Sequence, residues 1–136
     1  RNAIIHNQKH TDKSITENNP DKEIIHVAQG YTKCNLMPLS ESTFITSDEG
    51  IEKALQTRFQ IYRFSPENII LEGQKHGFLG GCTGRWKNTL FFTGSLDSIP
   101  EHHKLKQIIA YHGLNYEELY DGPLVDGGGL LFIDES

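Results

Sequence analysis

The sequence predicts an α/β fold built from repeated ββαβ units. Short runs of β-branched and aromatic residues alternate with short stretches that have the apolar spacing of a helix. The order of helix, strand and glycine-bearing segment occurs three times along the 136 residues. We divide the chain into units at 1–40, 41–86 and 87–136, and treat these as one domain or as a fragment of a longer domain. Units of this size bury their apolar faces by stacking on their neighbours.

The composition indicates a globular protein, with 36% hydrophobic and 23% charged residues. A net charge of −5 argues against a nucleic-acid partner, since nucleic-acid binders usually carry a basic stripe. No apolar run approaches the roughly 20 residues that span a bilayer, so we expect no membrane association. Two cysteines are too few for a disulfide framework and indicate reduced thiols in the cytoplasm.

The first unit contains three predicted strands and a weak helix. Its strands are expected at Ala3–His6, Glu23–Ala28 and Leu36–Leu39, and its helix after Thr11. Pro38 lacks an amide hydrogen, which favours an edge position for the third of these strands.

The second unit has the clearest pattern. A strand at Phe44–Ser47, a helix at about Asp48–Thr57 and a strand at Gln60–Phe64 follow one another directly. Thr46 and Glu49 have the spacing of a capping box, in which a hydroxyl and a carboxylate bind free amides at a helix start.

A glycine-rich segment, His76–Trp86, leads into the third unit, which opens with a strand at Thr89–Thr93. Glycine there permits close approach of another backbone or of a ligand. If residues 78–82 are extended, Phe78, Gly80 and Cys82 lie on one face.

The helix of the third unit has a predicted start and a predicted end. Ser98 and Glu101 have capping-box spacing, and Gly113 stands where a terminating glycine is common. Strands are expected to follow at Asn115–Tyr120 and Gly129–Ile133. The face of the helix expected to be buried consists of Leu105, Ile108, Ile109 and His112.

Four segments together carry a resemblance to a known family. They are QGYTKCN at 29–35, FITSDEGI at 44–51, HGFLGG at 76–81 and LVDGGGLLF at 124–132. In this order and spacing they resemble an uncharacterised bacterial family, common in clostridia, that is assigned to the pentein or guanidino-group-modifying-enzyme fold. The likeness covers the chain from Asn2 to Phe132.

The resemblance implies a partial α/β-propeller of ββαβ units around a pseudo-fivefold axis. Family members are longer than this chain, and the match falls on their C-terminal half. The expected macromolecular partners are therefore the missing N-terminal half of the same protein or a second copy in a homodimer. The chain also begins at Arg1 just before an apolar run, which is compatible both with a start inside a domain and with an artificial chain end.

Pentein enzymes use a cysteine nucleophile, a histidine and acidic residues that bind a guanidinium. This chain has no cysteine near its C-terminal end, where the nucleophile of those enzymes usually lies. We therefore expect a small-molecule binding or regulatory module without demonstrated catalysis. The alternative is a cysteine-dependent hydrolase or transferase that acts on a guanidinium or amide-like small molecule.

The alternative depends on three candidate catalytic residues, Cys34, Cys82 and His76. Cys34 follows Lys33, and a neighbouring ammonium lowers the pKa of a thiol and makes it a better nucleophile. Cys82 lies six residues after His76, which would act as its base. The competing interpretation of both cysteines is a small buried residue, the usual situation of a free cysteine.

The candidate binding residues are Lys33, Asp48, Gly80, Gly81 and Asp126. Asp48 or Asp126 would grip a cationic ligand, although capping explains an acid at a helix start and solvation explains an acid in a loop. The paired glycines lack the spacing of a dinucleotide fingerprint, so no cofactor is expected. Adjacent histidines on a helix do not share a face, so no metal site is expected.

Overall fold

The computed structural model describes residues 35–130, together with the backbone of two strands at 3–6 and 23–26. The described chain is a mixed α/β structure. Strands β1 (Ala3–His6) and β2 (Glu23–His26) pair in parallel; β1 has its predicted bounds, and β2 ends two residues early. The helix predicted after Thr11 and the part of the last predicted strand at 131–133 lie outside the described residues. Gly129 and Leu130, which were predicted to begin that strand, are not in a strand. Within these ranges no helix combines the length and apolar character needed to cross a bilayer.

The first three-stranded sheet has the order β3-β4-β5. Strand β3 (Met37–Pro38) is antiparallel to β4 (Thr43–Thr46), and β4 is parallel to β5 (Gln60–Arg63). Helix α1 (Glu49–Leu55) connects the two parallel strands. Pro38 lies in an edge strand, as predicted, where its missing amide hydrogen costs no central hydrogen bond.

The second three-stranded sheet has the order β6-β7-β8. Strand β6 (Thr83–Trp86) is antiparallel to β7 (Thr89–Phe92), and β7 is parallel to β8 (Asn115–Glu118). Helix α2 (His102–Tyr111) connects the parallel strands. The two sheets thus have the same strand order and the same strand directions.

The glycine-rich segment before β6 differs from its predicted form. Residues Leu79–Cys82 form a 3-10 helix, so Phe78, Gly80 and Cys82 do not alternate on the face of a strand. Strand pairing begins only at Thr83. The first and second sheets therefore start at Met37 and Thr83, a few residues before the sequence-based divisions at 40/41 and 86/87.

The start of α1 also differs from the prediction. Asp48 is the N-cap, and its carboxylate accepts a hydrogen bond of 2.9 Å from the amide of Ile51. Thr46 is still part of β4, and its hydroxyl accepts a bond of 3.1 Å from the Asp48 amide. The predicted capping box of Thr46 and Glu49 is therefore wrong, because the N-cap is Asp48, two residues after the threonine that the spacing assumes.

The predicted capping box of α2 is wrong as well. Glu101 occupies the N-cap position without a side-chain cap, and its carboxylate instead accepts a bond of 2.7 Å from the Ser65 amide. The hydroxyl of Ser98 donates to the carbonyl of Ser95 at 2.7 Å. A short 3-10 helix at Leu96–Ser98 uses this serine locally, which removes it from the helix start.

The end of α2 is confirmed. Gly113 has a φ of +70° and donates to the Ala110 carbonyl at 3.0 Å, while Leu114 donates to the Ile109 carbonyl at 3.1 Å. This pair of bonds is a Schellman motif, which satisfies carbonyls left free at a helix end. On the face predicted to be buried, Leu105, Ile108 and Ile109 are buried and His112 is half-buried.

Two apolar clusters fill the described structure. The larger one contains Met37 and Ile45 from the first sheet, Leu90 and Phe92 from the second, and Leu105 from α2. The smaller cluster lies on the α1 side of the first sheet and contains Leu36, Ile51 and Leu55, with Phe44, Phe59 and Ile61 packed against it. The larger cluster joins the two sheets, whereas the smaller one belongs to the first sheet.

Candidate functional site

A glycine junction connects the second sheet with the segment that follows β8. It consists of residues 77–83 and 124–130. The carbonyl of Gly81 accepts hydrogen bonds from Gly127 at 3.0 Å and Gly129 at 2.8 Å, and the Thr83 carbonyl accepts one from Leu130 at 3.1 Å. These bonds hold the returning chain against the 3-10 helix and the first residue of β6.

Asp126 is the central side chain of this junction. It is 6% exposed. Its Oδ2 accepts a hydrogen bond of 2.9 Å from the Phe78 amide, and its Oδ1 accepts one of 3.0 Å from the Gly128 amide. Hydrogen bonds to an ionised carboxylate are about twice as strong as neutral ones. Asp126 therefore joins the backbone at Phe78 to the backbone at Gly128, and we call these two bonds the Asp126 clasp. Its predicted role in binding a cation stays a prediction.

Two glycines make room for this carboxylate. A Cβ atom at Gly81 would lie 1.7 Å from the Asp126 Oδ1, and one at Gly77 would lie 2.5 Å from the Asp126 Cβ. At either glycine a side chain would force Asp126 or the backbone to shift. The close approach that the sequence predicted at Gly81 is thus made by the chain's own aspartate.

Cys82 lies inside the larger apolar cluster with 0% exposure. Its Sγ donates to the Phe78 carbonyl at 3.3 Å. The His76 Nδ1 lies 3.0 Å from the Gly77 carbonyl, and its ring packs edge-to-face on Phe78 at 5.3 Å. Among the described residues no hydrogen bond joins Cys82 to His76. The thiol is therefore not presented to solvent in this structure.

Lys33 and Cys34 lie outside the described residues. Asn35, which follows them, is 7% exposed, and its Oδ1 accepts a bond of 3.4 Å from the Ser47 hydroxyl. This contact lies at the end of β4, next to the Asp48 cap of α1. The candidate Asp48 therefore lies at a helix start, with its carboxylate bound to an amide of that helix.

A small cavity lies where the carboxyl ends of β4 and β5 meet. Its volume is about 10 Å³, which is room for no more than one water. Polar walls come from Asn35, Thr46 and Ser65, and Gly80 is also part of the lining. It is too small for an organic ligand.

A larger groove is lined by residues of β3 and β6, and we call it the β3–β6 groove. Its volume is about 340 Å³, at the lower end of the roughly 300–1,000 Å³ typical of ligand pockets. Within the described part of the chain its lining consists of Leu36, Met37, Pro38, Phe44, Gly80, Thr83, Gly84, Arg85, Leu90, Gly129 and Leu130. Of the candidate residues that the structure describes, Gly80 alone lies in this lining.

Arg85 is the charged residue of this described lining, and sequence reasoning missed it. Its Nε donates to the Lys87 carbonyl and its Nη1 to the Leu39 carbonyl, both at 2.8 Å. None of the ion pairs among the described residues involves Arg85. The sequence signal was an arginine within a glycine-rich segment. This does not reveal that residues of β3 form the other side of the groove.

The ion pairs that shift carboxyl pKa values lie on helices and outside the described lining of the groove. A hydrogen bond from Lys53 lowers the pKa of Glu49, and one from Lys106 lowers the pKa of Asp97. Among the described residues no cluster of three or more histidine, cysteine or acidic side chains could hold a metal ion. The chemistry that this arrangement offers is apolar contact combined with one guanidinium.

Comparison with known proteins gives a family. The sequence matches the family described as "Family of unknown function (DUF6873)" over residues 1–131. No curated protein and no solved structure matches the chain. Because the family match extends over nearly the whole sequence, this chain belongs to the family of unknown function DUF6873.

Proposed function

We propose that this chain is a small-molecule binding or regulatory module without catalysis of its own, and that its ligand occupies the β3–β6 groove. The observation that carries the proposal is the groove itself, with a volume of about 340 Å³ and mainly apolar walls. Ligand sites in proteins are usually concave and apolar, with a small number of placed polar groups. Arg85 is such a group here.

We further propose that the chain is part of a bacterial pentein-type propeller. The support comes from the sequence resemblance and from the two sheets, which share the ββαβ order and the same strand directions. A propeller is built by repeating one such unit around an axis. A second copy, or the other half of a longer protein, would supply the remaining units.

The burial of Cys82 favours this function over the cysteine-dependent alternative. A nucleophilic thiol has to reach its substrate as a thiolate, and reactive cysteines lie in partly exposed, electropositive surroundings. Cys82 is 0% exposed and donates to a backbone carbonyl. Of the two candidate nucleophiles, this leaves Cys34 to carry the alternative.

The groove is tested by an NMR titration of ¹⁵N-labelled protein with a library of small organic fragments. We expect saturable shifts at the amides of Gly84, Arg85 and Gly129. In the variant Pro38→Trp, an indole at the groove wall should abolish them. The matched control is Pro100→Trp, which places the same ring at an exposed proline before α2 and should leave binding unchanged. Saturation at amides elsewhere, unaffected by Pro38→Trp, would contradict the proposal.

Catalysis is tested separately with arginine, agmatine and dimethylarginine as substrates. We expect no formation of urea, ammonia or, from asymmetric dimethylarginine, dimethylamine above the rate without protein. Saturable turnover that is lost in Cys34→Ala and kept in Cys82→Ala would overturn the binding function in favour of the enzyme.

A further inference from the structure

The side chains of the β3–β6 groove indicate the chemical class of its ligand. Resting on the proposed function, we infer that the groove binds a small amphipathic anion, with an apolar body inside the groove and a carboxylate on Arg85. This differs from the cationic guanidinium that the resemblance implies.

The apolar part of the inference comes from the groove walls. Six apolar side chains line the groove: Leu36, Met37, Pro38, Phe44, Leu90 and Leu130. The hydroxyl of Thr83 already donates its proton to the Leu79 carbonyl at 2.8 Å. A ligand body rich in carbon gains by contact with such walls, because burial of apolar area is favourable by about 25 cal/mol per Å².

The anionic part comes from the state of Arg85. Its guanidinium keeps its charge at any physiological pH and has five N–H donors. Two carbonyl acceptors, on Leu39 and Lys87, fix the position of the group and use two of these donors. The remaining donors have the fork geometry that binds a carboxylate through two parallel bonds. A guanidinium held in place loses less conformational entropy when it binds.

Charge complementarity excludes the opposite ligand class. The described lining contains no aspartate or glutamate, so a cationic ligand would face Arg85 without a compensating carboxylate. A neutral ligand would gain from the walls but not from the guanidinium. The volume of about 340 Å³ selects a short-chain or single-ring carboxylate rather than a long lipid.

The test uses three probes with the same six-carbon chain: hexanoate, hexanol and hexylammonium. Each is titrated into the full chain and followed at the amides of Gly84 and Gly129 by NMR. We expect hexanoate to bind about three- to tenfold more tightly than hexanol, since the Arg85 side chain is exposed and its charge partly screened. Hexylammonium should bind most weakly.

Three variants show whether Arg85 causes this order. Arg85→Met should make hexanoate and hexanol equivalent. Lys75→Met removes the same charge from an exposed position outside the groove lining and should keep the preference. Arg85→Lys keeps the charge without the fork and should give an intermediate preference, which also serves if the methionine variant does not fold.

The outcomes separate this inference from the function on which it rests. Equal binding of acid and alcohol, or tightest binding of the amine, would overturn the anionic class and leave the binding function in place. An acid preference that survives Arg85→Met would overturn the role of the guanidinium. Failure of all three probes would overturn both claims, and a dimeric mass in light scattering would then indicate that a second copy covers the groove.

Discussion

The two three-stranded sheets have the same topology but different places in the core. Helix α1 has 7 residues and buries Ile51 and Leu55 in the smaller cluster. Helix α2 has 10 residues and buries Leu105, Ile108 and Ile109 in the larger one. Helix α1 therefore covers the first sheet, whereas α2 is part of the core that joins both sheets.

Contacts across the sheets explain this difference. The Lys104 amine on α2 lies 4.5 Å from the centroid of the Phe64 ring and donates to the Arg63 carbonyl at 3.1 Å. The Tyr62 ring lies 6.1 Å from the ring of His112 at the end of α2. Helix α2 thus packs against the end of the first sheet as well as against the second sheet, to which it belongs. Because the neighbours of each helix differ, we expect the two sheets to contribute unequally to stability despite their equal topology.

The largest expected effect is a core truncation in the second sheet. Phe92 is 0% exposed within the larger cluster, so Phe92→Ala should lower the free energy of unfolding by about 3–5 kcal/mol. Phe44→Ala, in the half-buried edge of the smaller cluster, should cost less. Urea unfolding followed by circular dichroism measures both. Equal losses would show that the two clusters contribute alike and would contradict the comparison.

The junction is tested by a pair of glycine substitutions. Gly81→Ala places a Cβ against the Asp126 carboxylate, 1.7 Å from Oδ1, and we expect a loss of about 1–3 kcal/mol from the forced displacement. At Gly127 an added Cβ meets nothing within 4 Å, so Gly127→Ala should change stability by less than about 0.5 kcal/mol. If both variants unfold at the same urea concentration, the clasp does not constrain the junction.

The caps of the two helices should respond differently. Asp48→Ala removes the bond to the Ile51 amide and should cost about 1 kcal/mol. Asp48→Asn keeps an acceptor at the same place and should cost less than about 0.5 kcal/mol. In Glu101→Ala the lost bonds are those from the Ser65 amide and the Lys104 ammonium. Neither satisfies a backbone amide of α2, so the start of α2 should stay intact. Amide exchange in the first turn of each helix distinguishes these cases.

The smallest effects concern the exposed ion pairs of the helices. The hydrogen bond from Lys53 lowers the pKa of Glu49 below 4.5, and the one from Lys106 lowers the pKa of Asp97 below 3.8. We expect Lys53→Met and Lys106→Met to return the two carboxyl pKa values toward these figures in NMR titrations.

The linked change of stability has a definite sign. A carboxyl group whose pKa is lowered by folding stabilises the protein above its unfolded pKa, and this contribution is lost as the pH falls through the folded pKa. The window therefore lies below pH 4.5 for Glu49 and below 3.8 for Asp97. High salt should reduce both contributions, because the pairs are exposed. A pKa of Glu49 that does not change in Lys53→Met would contradict the assignment.

Local signals predicted most of the described elements. The strand at β1 and the terminating Gly113 were located from residue type and spacing alone, since these signals act within one or two turns of chain. The start of α1 was predicted at about Asp48 and lies at Glu49, but the capping boxes predicted for both helices are wrong. In each case a serine or threonine with the right spacing bonds to its own neighbours instead.

The candidate site was less predictable, because its parts come together only after the sheets have packed. Met37 and Gly84 face the same groove, yet nothing near either residue in the sequence indicates the other. Arg85 looks like an ordinary exposed arginine until the Leu39 carbonyl is placed beside it. Asp126 looks like a loop acid, and only the amides of Phe78 and Gly128 show its role.

The long sequence separation of the Asp126 clasp has a consequence for folding kinetics. Phe78 and Asp126 are 48 positions apart, whereas Thr43 and Gln60, which face each other across the first sheet, are 17 apart. Loop closure costs more entropy as the closed loop lengthens. We therefore expect both sheets to form early and the clasp to close after the rate-limiting barrier. Weakening the clasp should then speed unfolding and leave the folding rate nearly unchanged.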